Sequence, residues 1–138
     1  MDNLRSVAAT ILVNKEGKYL IVKKPRKNHA WQFPQGGREE GETLLEAAER
    51  ELKEECGANL NVEFLPESVG EYSYDFPEDF KRHDENITGV KVTFFRAEFL
   101  SGDIELEVEE LEDYAWVTKK ALSDYFEGEY LKTIREFL

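Results

Sequence analysis

Several features are scarce or missing in this chain of 138 residues. Cys56 is the only cysteine, so no disulfide can form within the chain. No apolar run is long enough to span a bilayer, and no signal-peptide pattern is present. We therefore expect a cytoplasmic protein without a membrane partner. The chain also lacks a repeat, a linker and a low-complexity segment, and its length predicts a single domain over residues 1–138.

Positive charge is scarce as well. The chain has 18 Lys and Arg against 30 Asp and Glu, which gives a formal net charge of −12. Surfaces that grip long RNA or DNA through phosphates are basic, so this balance argues against long nucleic acid as a partner. It is compatible with an acidic site that reaches phosphates through metal ions.

The stretch from Gly36 to Ala58 (GGREEGETLLEAAERELKEECGA) is the most informative part of the chain. It predicts a glycine-rich loop followed by a helix. Thr43 is the expected N-cap, with Glu46 at capping-box spacing, and Gly57 is expected to end the helix. An apolar stripe should face a core and consists of Leu45, Ala48, Leu52 and Cys56. Cys56 is therefore expected in the core and not as a nucleophile.

A second face of this helix is acidic. Glu51, Glu54 and Glu55 lie at positions i, i+3 and i+4, so their charges repel by about 0.2–0.5 kcal/mol per pair. A divalent cation that prefers oxygen ligands, such as Mg²⁺, would offset this repulsion. A solvated acidic surface is the alternative interpretation of such a cluster taken alone.

The spacing around these glutamates favours the metal site. Gly36 is followed by five residues, Glu42, seven residues and then the run from Arg50 to Ala58 (RELKEECGA). This arrangement resembles the signature of the Nudix hydrolases, here called the Nudix box, without a gap or a substitution. The family hydrolyses a nucleoside diphosphate linked to another group and uses Mg²⁺ or Mn²⁺ held by the box. The resemblance implies an α/β fold, the Nudix-type α/β/α sandwich with a mixed sheet between helices.

The resemblance also implies roles within the box. Glu51, Glu54 and Glu55 would hold metal ions that orient the phosphates and lower the pKa of a bound water. Either Glu51 or Glu54 would act as the general base. Arg50 is expected to orient these carboxylates by bidentate pairing, with support from Glu42. The two consecutive glycines allow close approach of the backbone, and a main-chain carbonyl at Gly36 could join the metal ligands.

Further candidate residues lie outside the box. Lys24 and Lys91 are candidate contacts for substrate phosphates. In Nudix enzymes a glutamate several residues before a Trp-containing strand often completes the metal site. That position is Glu110 here, with Glu109 as second choice and a solvated acid as the alternative. The basic loop 25–29 is either a solvated connection or a holder of substrate phosphates, and its histidine is expected to serve loop structure.

The string WQFPQGG, which ends at Gly37, is similar to a subgroup containing bacterial RNA pyrophosphohydrolases and plant dinucleoside tetraphosphate hydrolases. The YDFP run at 74–77 and the aromatic pair at 94–95 match this subgroup. Two departures disfavour RNA as the substrate. The subgroup begins this strand with a Gln-rich run that contains a lysine, and this chain keeps only the lysine, Lys91. The loop before the strand is basic in the bacterial RNA enzymes, whereas here it carries two acidic residues at 78–79 before its basic residues. The expected substrate is a small nucleotide, first a dinucleoside polyphosphate, then the 5′ end of triphosphorylated or capped RNA, and then a nucleotide sugar or nucleoside triphosphate.

A different class of protein shares part of the pattern. The segment 115–138 and the YDFP region also resemble the Nudix-like protein of the mitochondrial large ribosomal subunit. Those proteins are structural, and their box has lost its carboxylates. Because this chain retains every acid of the box, we favour a hydrolase over a structural role.

Alternation and turn residues predict the remaining elements. Strands are expected at 6–13, 18–24, 60–65, 70–76, 89–100 and 113–118, and helices at 119–126 and 129–138. The last helix should present an apolar stripe of Leu131, Ile134 and Phe137. Trp31 and Phe33 are expected in the core. The oligomeric state is not predicted by any of these patterns.

Overall fold

The computed structural model describes residues 3–25, 29–76 and 86–138. The strands are β1 (Leu4–Val13), β2 (Tyr19–Lys24), β3 (Ala30–Gln32), β4 (Gln35–Gly37), β5 (Asn61–Phe64), β6 (Gly70–Asp75), β7 (Gly89–Ser101) and β8 (Asp113–Val117). The helices are α1 (Leu44–Cys56) and α2 (Gly128–Arg135), with a 3-10 helix at Lys120–Asp124. The basic residues 26–28 and the loop residues 77–85, which entered the sequence predictions, lie outside the described residues.

β1 occupies the centre of a mixed sheet. It pairs in parallel with β7 over its whole length and antiparallel with β4 and β2. β5 and β6 pair antiparallel with the two halves of β7, while β3 and β8 flank β2. Because both faces of β1 are covered, every residue from Val7 to Val13 is buried, and the strand appears in the sequence as a continuous apolar run.

Helices cover the two faces of the sheet. Successive side chains of β1 point to opposite faces, so each face receives its own apolar cluster. On one face Leu12 and Ala8 belong to clusters that include Ala47, Ala48, Leu52 and Cys56 of α1. On the other face Ile11 belongs to a cluster that includes Leu122, Phe126 and Ile134 near the C-terminus. This arrangement confirms the predicted α/β/α sandwich with a mixed sheet between helices.

The ends of α1 agree with the sequence prediction. Thr43 Oγ1 accepts a hydrogen bond from the Glu46 amide at 3.1 Å, and Glu46 Oε1 accepts one from the Thr43 amide at 2.9 Å, which forms a capping box. Gly57 follows the last helical residue with a φ of +132°, a conformation that favours glycine. Cys56 is fully buried, and burial raises the pKa of its thiol, as expected for a core position.

The predicted C-terminal helices differ from the structure. The segment 119–126 is predicted to be a longer helix, and only Lys120–Asp124 within it forms a short 3-10 helix. Ten residues (118–127) connect β8 to α2 and must also bring Leu122 and Phe126 into the same core. α2 ends at Arg135 instead of continuing to Leu138, and its last turn tightens through a hydrogen bond from the Phe137 amide to the Ile134 carbonyl. No helix in the described part of the chain is long and apolar enough to cross a membrane.

The glycine pair was expected in a loop but lies in a short strand. Gly36 and Gly37 belong to β4, where they pair with Ala8 and Val7 of β1. Two glycines lower strand propensity, so the local sequence gave no indication of a strand, and the pairing with β1 prevails. Upstream of β4, Phe33 is fully buried, and Trp31 is partly buried against the same cluster, as expected for core residues.

The packing of α1 against the sheet can be tested by Leu52→Ala. Leu52 is 1% exposed, so its truncation should lower the free energy of unfolding by about 2–5 kcal/mol. The urea midpoint, followed by circular dichroism, measures this change. Lys53→Ala, at the next and exposed position, should leave the midpoint nearly unchanged, and equal midpoints for the two variants would contradict this account of the core.

Candidate active site

A cavity of about 480 Å³ lies where α1, β4 and the acidic segment before β8 meet. Among the described residues, its charged lining consists of six glutamates and two cationic side chains, namely Glu51, Glu54, Glu55, Glu107, Glu109, Glu110, Arg5 and Lys24. Gln35, Gly36 and Gly37 complete the lining. The structure therefore brings the three box glutamates together with the predicted Gly36, Glu110 and Lys24.

Glu51 lies directly against Gly36. A methyl group added at Gly36 would collide with the carboxylate of Glu51, so this position has room only for glycine while that carboxylate stays in place. Burial raises the pKa of Glu51, although a hydrogen bond from Arg50 lowers it. The first glycine of the pair is thus required by the close approach of a charged side chain and not by a positive φ.

Arg50 connects three parts of the site. Its Nε and Nη2 donate to the two oxygens of Glu42 at 2.7 and 3.0 Å, which is the bidentate geometry of a strong pair. Nη2 also donates to the Gly37 carbonyl at 2.9 Å, and Nη1 donates to Glu51 at 2.8 Å and to Glu54 at 3.2 Å. Hydrogen bonding to Glu42 raises the pKa of Arg50 further above its usual range. With these acceptors around it, the guanidinium is placed to orient carboxylates.

Glu55 has a different environment from its neighbours. Its side chain is only 6% exposed, and its two oxygens accept a hydrogen bond from the Gln35 amide at 2.9 Å and pair with Lys24 Nζ at 3.2 Å. Burial raises the pKa of Glu55, while the Lys24 ammonium acts in the opposite direction. Lys24, predicted as a phosphate contact, is therefore an ion-pair partner of a box glutamate in this structure.

The acidic segment reaches the cavity as a turn. The Glu107 amide donates to the Glu55 carbonyl at 3.0 Å, and the Glu110 and Leu111 amides donate to the Glu107 carbonyl at 3.0 and 2.8 Å. Both Glu110 and Glu109, the first and second choices for a ligand outside the box, line the cavity. Glu107 also lines it, and the positional rule that selected Glu110 gave no reason to single out this third acid.

Two predicted residues lie elsewhere. Lys91 does not line the acidic cavity, and its Nζ pairs with Glu71 at 3.0 Å on an exposed part of the sheet. His29 lies outside the cavity with its Nδ1 2.6 Å from Glu112 Oε1, and its φ of +57° is unusual for a residue other than glycine. The rest of the basic loop, residues 26–28, is outside the described residues.

Sequence reasoning missed Arg5 and Gln35. Arg5 is the second residue of β1 and reaches the cavity only because β1 pairs with β4. Gln35 contributes a backbone amide to Glu55, which no side-chain pattern could indicate. Both contributions join distant parts of the chain, 20 residues apart for Gln35 and Glu55, so no local signal marks them.

The donor set fits Mg²⁺ or Mn²⁺. Carboxylate and main-chain carbonyl oxygens are the ligands that such ions prefer, and the glycine at position 36 leaves room for the Glu51 carboxylate at the cavity. Among the described residues, no three acidic, histidine or cysteine side chains converge closely enough to hold one ion as they stand. Glu51 is hydrogen-bonded to Arg50 and Glu55 to Lys24, so these carboxylates are oriented by cationic side chains.

Fold and site together define an α/β/α protein with an acidic, oxygen-rich cavity over a glycine pair. The chain belongs to the Nudix family, since the NUDIX domain model matches residues 3–137. Its backbone resembles that of a C. elegans Ap4A hydrolase with a TM-score of 0.76, covering 97% of this chain and 95% of that one at 19% sequence identity. This likeness shows the shared fold.

Two kinds of curated relative confirm the resemblances seen in the sequence. The chain is 38% identical over 124 residues to an RNA pyrophosphohydrolase of Hydrogenovibrio crunogenus, which covers 84% of this chain and 74% of that protein. It is 35% identical over 120 residues to the large ribosomal subunit protein mL46 of Bos taurus, which covers 86% of this chain and 42% of that protein. The chain thus spans about two fifths of the length of mL46.

The pair between Glu42 and Arg50 predicts an acid-dependent loss of stability. Hydrogen bonds from Arg50 lower the pKa of Glu42 from 4.5 to about 2. Because the folded pKa is the lower one, the pair adds stability above pH 4.5 that is lost as the pH falls toward about 2. We predict that Glu42→Gln lowers the urea midpoint at pH 7 and that its difference from the wild type shrinks by pH 3.

The control for this pH series is Glu16→Gln, which removes an exposed pair with Lys18 at 3.7 Å. Its urea midpoint should follow the wild type at every pH, because isolated surface pairs contribute little. A Glu42→Gln deficit of the same size at pH 7 and pH 3 would contradict the assignment of the lowered pKa to this pair.

Proposed function

We propose that the chain is a metal-dependent pyrophosphohydrolase that cleaves a nucleoside diphosphate linked to another group, with a dinucleoside polyphosphate such as diadenosine tetraphosphate as its preferred substrate. The observation that carries this proposal is the close contact between the Glu51 carboxylate and Gly36 at an acidic cavity. This cavity is also lined by Glu54, Glu55 and the acidic turn at 107–110. Such a concentration of oxygen ligands is suited to cations that bring phosphates to an acidic protein.

Glu51, Glu54 and Glu55 would hold Mg²⁺ or Mn²⁺, with the Gly36 carbonyl and Glu110 as further ligands. When bound, the metal neutralises phosphate charge and lowers the pKa of water. The three glutamates have different surroundings, since Glu55 is buried against Lys24, Glu51 is half-buried beside Arg50, and the Glu54 side chain is 58% exposed. They can therefore take different roles although they lie on one helix face.

The proton transfers fall to the less enclosed carboxylates. Hydrolysis requires a base that removes a proton from the attacking water, and Glu51 and Glu54 both present oxygens to the cavity. Arg50 holds one oxygen of each through Nη1, which leaves the other oxygen available to accept a proton. Glu55 is a weaker candidate for the base, because its two oxygens are engaged by Gln35 and Lys24.

The 5′ end of triphosphorylated RNA is the second candidate substrate. The 38% identity to an RNA pyrophosphohydrolase favours it. The net charge of −12 favours the small nucleotide, since repulsion between an acidic surface and the phosphates of a long chain opposes binding. Both candidate substrates contain a nucleoside polyphosphate, which the cavity would bind. The hydrolysis would take place in the cytoplasm.

The similarity to mL46 supports a structural role as a third candidate. A protein that serves only as a scaffold in a large assembly has no need of a metal site. Failure to bind Mn²⁺, together with co-sedimentation with ribosomes, would favour this role over the hydrolase.

A substrate panel tests the proposed function. We expect wild-type protein with Mg²⁺ or Mn²⁺ to cleave one of diadenosine tetraphosphate, ADP-ribose, nucleoside triphosphates or triphosphorylated RNA, with products resolved by chromatography. Glu54→Gln should lower kcat by about 100-fold or more, because it removes a proposed metal ligand and a candidate base. Equal turnover by the wild type and this variant would contradict the role of Glu54.

Glu49→Gln is the matched control for this panel. Glu49 lies on the same helix, is exposed and borders a different groove, on the side of α1 that faces β5. Its turnover should equal that of the wild type, which separates the effect of the site from a general effect of removing one negative charge.

The contact between Gly36 and Glu51 gives a separate prediction. Gly36→Ala should displace the Glu51 carboxylate and weaken Mn²⁺ binding by about 10-fold or more, as changes beside metal ligands commonly do. Isothermal titration calorimetry measures the affinity. Gly17→Ala, which strains a turn at φ +77° outside the cavity lining, controls for a loss of stability and should bind Mn²⁺ like the wild type. Unchanged affinity in Gly36→Ala would remove Glu51 from the metal site.

A further inference from the structure

The acidic turn at 107–110 is held at both of its ends. The Glu107 amide donates to the Glu55 carbonyl at 3.0 Å, which attaches the first end to α1. The Glu112 amide donates to the Lys23 carbonyl at 3.0 Å, which attaches the second end to β2. One acidic wall of the cavity therefore lies on α1, and the other lies on a turn whose position depends on these attachments.

The Glu112 side chain makes a further connection at the second end. His29 Nδ1 lies 2.6 Å from Glu112 Oε1, and Lys23 Nζ lies 3.8 Å from the same oxygen. An ionised carboxylate can only accept hydrogen bonds, so Nδ1 of His29 carries the proton and donates. These three side chains, here called the clamp, join the turn to β2 and to the residue that precedes β3.

The backbone of His29 is strained. Of the residues other than glycine that the structure describes, His29 alone has a positive φ, at +57°. Such a conformation persists where the surrounding structure favours it, and it is typical of functional sites. The His29 side chain is 61% exposed, so packing in a core does not hold it. Among the described residues, Glu112 provides the hydrogen bond that favours this conformation.

The clamp lies outside the cavity. Lys23 and Lys24 are neighbours at the end of β2, and successive side chains of a strand point to opposite faces. Lys24 lines the cavity and pairs with Glu55, whereas Lys23 pairs with Glu112 and lies 5.9 Å from the centre of the Trp31 ring. None of the three clamp residues lines the cavity, so the clamp acts on the site only through the turn.

We propose that His29 is a positioning residue, which holds the acidic turn through Glu112 where Glu109 and Glu110 contribute to the metal site. The inference rests on the proposed function and adds to it a residue that touches neither metal nor substrate. A shift of the turn moves its glutamates relative to the box glutamates on α1. Because metal affinity depends on the groups that orient the ligands, loss of the clamp weakens metal binding although no ligand is removed.

Metal binding in the absence of substrate tests this role. Wild type and His29→Gly are titrated with Mn²⁺ by calorimetry. Glycine adopts a positive φ without strain, so this variant removes the clamp and leaves the backbone conformation accessible. We expect the affinity for Mn²⁺ to fall by about 10-fold, the lower end of the range for groups that orient metal ligands. The urea midpoint should change little, because exposed ion pairs contribute little to stability.

Asparagine at position 29 provides a rescue. Its side-chain nitrogen is separated from Cα by the same number of bonds as Nδ1 of histidine, and asparagine tolerates a positive φ. His29→Asn should therefore bind Mn²⁺ more tightly than His29→Gly and nearly as tightly as the wild type. A variant that only relieved or restored backbone strain would not follow this order, because glycine is the less strained of the two residues.

Two variants at glutamates complete the set. Glu112→Ala should weaken Mn²⁺ binding, and adding His29→Gly to it should cause no further loss, since the two residues act as one unit. Glu71→Ala is the matched control, because it removes the same charge and an exposed pair with Lys91 at 3.0 Å, away from the cavity. Its affinity for Mn²⁺ should equal that of the wild type.

Hydrogen exchange shows where the effect of His29→Gly lies. The Glu110 and Leu111 amides donate to the Glu107 carbonyl within the turn. We expect these two amides to exchange faster in His29→Gly than in the wild type, while the amides of α1 keep their rates.

The outcomes distinguish this inference from the proposed function. Equal affinity of the wild type and His29→Gly for Mn²⁺ overturns the positioning role, and so does a wild type that does not bind Mn²⁺. A lower affinity with unchanged exchange in the turn also overturns it, because the effect then does not pass through the turn. His29-dependent binding and exchange without cleavage of any compound in the substrate panel supports the positioning role and counts against the hydrolase alone.

Discussion

The Arg50 guanidinium donates hydrogen bonds to Glu42, Glu51, Glu54 and the Gly37 carbonyl, and the geometry of the candidate site depends on this arrangement. These acceptors lie in the segment before α1, on α1 itself and on β4, so one side chain joins three parts of the fold. Like-charged carboxylates on one helix face repel and would spread apart without such a partner. Because Arg50 lies among them, they stay together in a defined orientation at the cavity.

The three box glutamates look equivalent in sequence but differ in their chemistry. Burial and the Lys24 ammonium fix Glu55, Gly36 and Arg50 confine Glu51, and Glu54 remains largely in solvent. The environment of a carboxyl group, and not its residue type, sets its ability to hold or release a proton. The helix sets the spacing of the three glutamates, and contacts with the sheet beneath it make their environments different. The different environments of Glu51 and Glu55 therefore follow from the strands beside α1, with Lys24 contributed by β2 and Gly36 and Gln35 by β4.

The local features of the site could be predicted from the sequence, whereas its long-range contacts could not. The helix 44–56, its capping box and the strand at 89–101 could be predicted, because propensity, cap residues and apolar runs act over a few residues. The pairing of Lys24 with Glu55 and the approach of Arg5 to Gly37 join distant segments, so no spacing revealed them. The 3-10 turn at 120–124 replaced a predicted helix because the core required Leu122 and Phe126 within a short connection.

The arrangement of charge also bears on the choice between hydrolase and scaffold. Burying Glu55 with Lys24 takes two charged groups out of water, and apolar residues of similar size often serve a fold as well or better. The glutamates of the acidic turn add repulsion around the same cavity. A structural role gives no reason for this buried ion pair or for the repulsion between the glutamates. A site that binds cations and phosphates requires these charged groups. The cavity is therefore easier to explain by phosphate chemistry than by the needs of the fold.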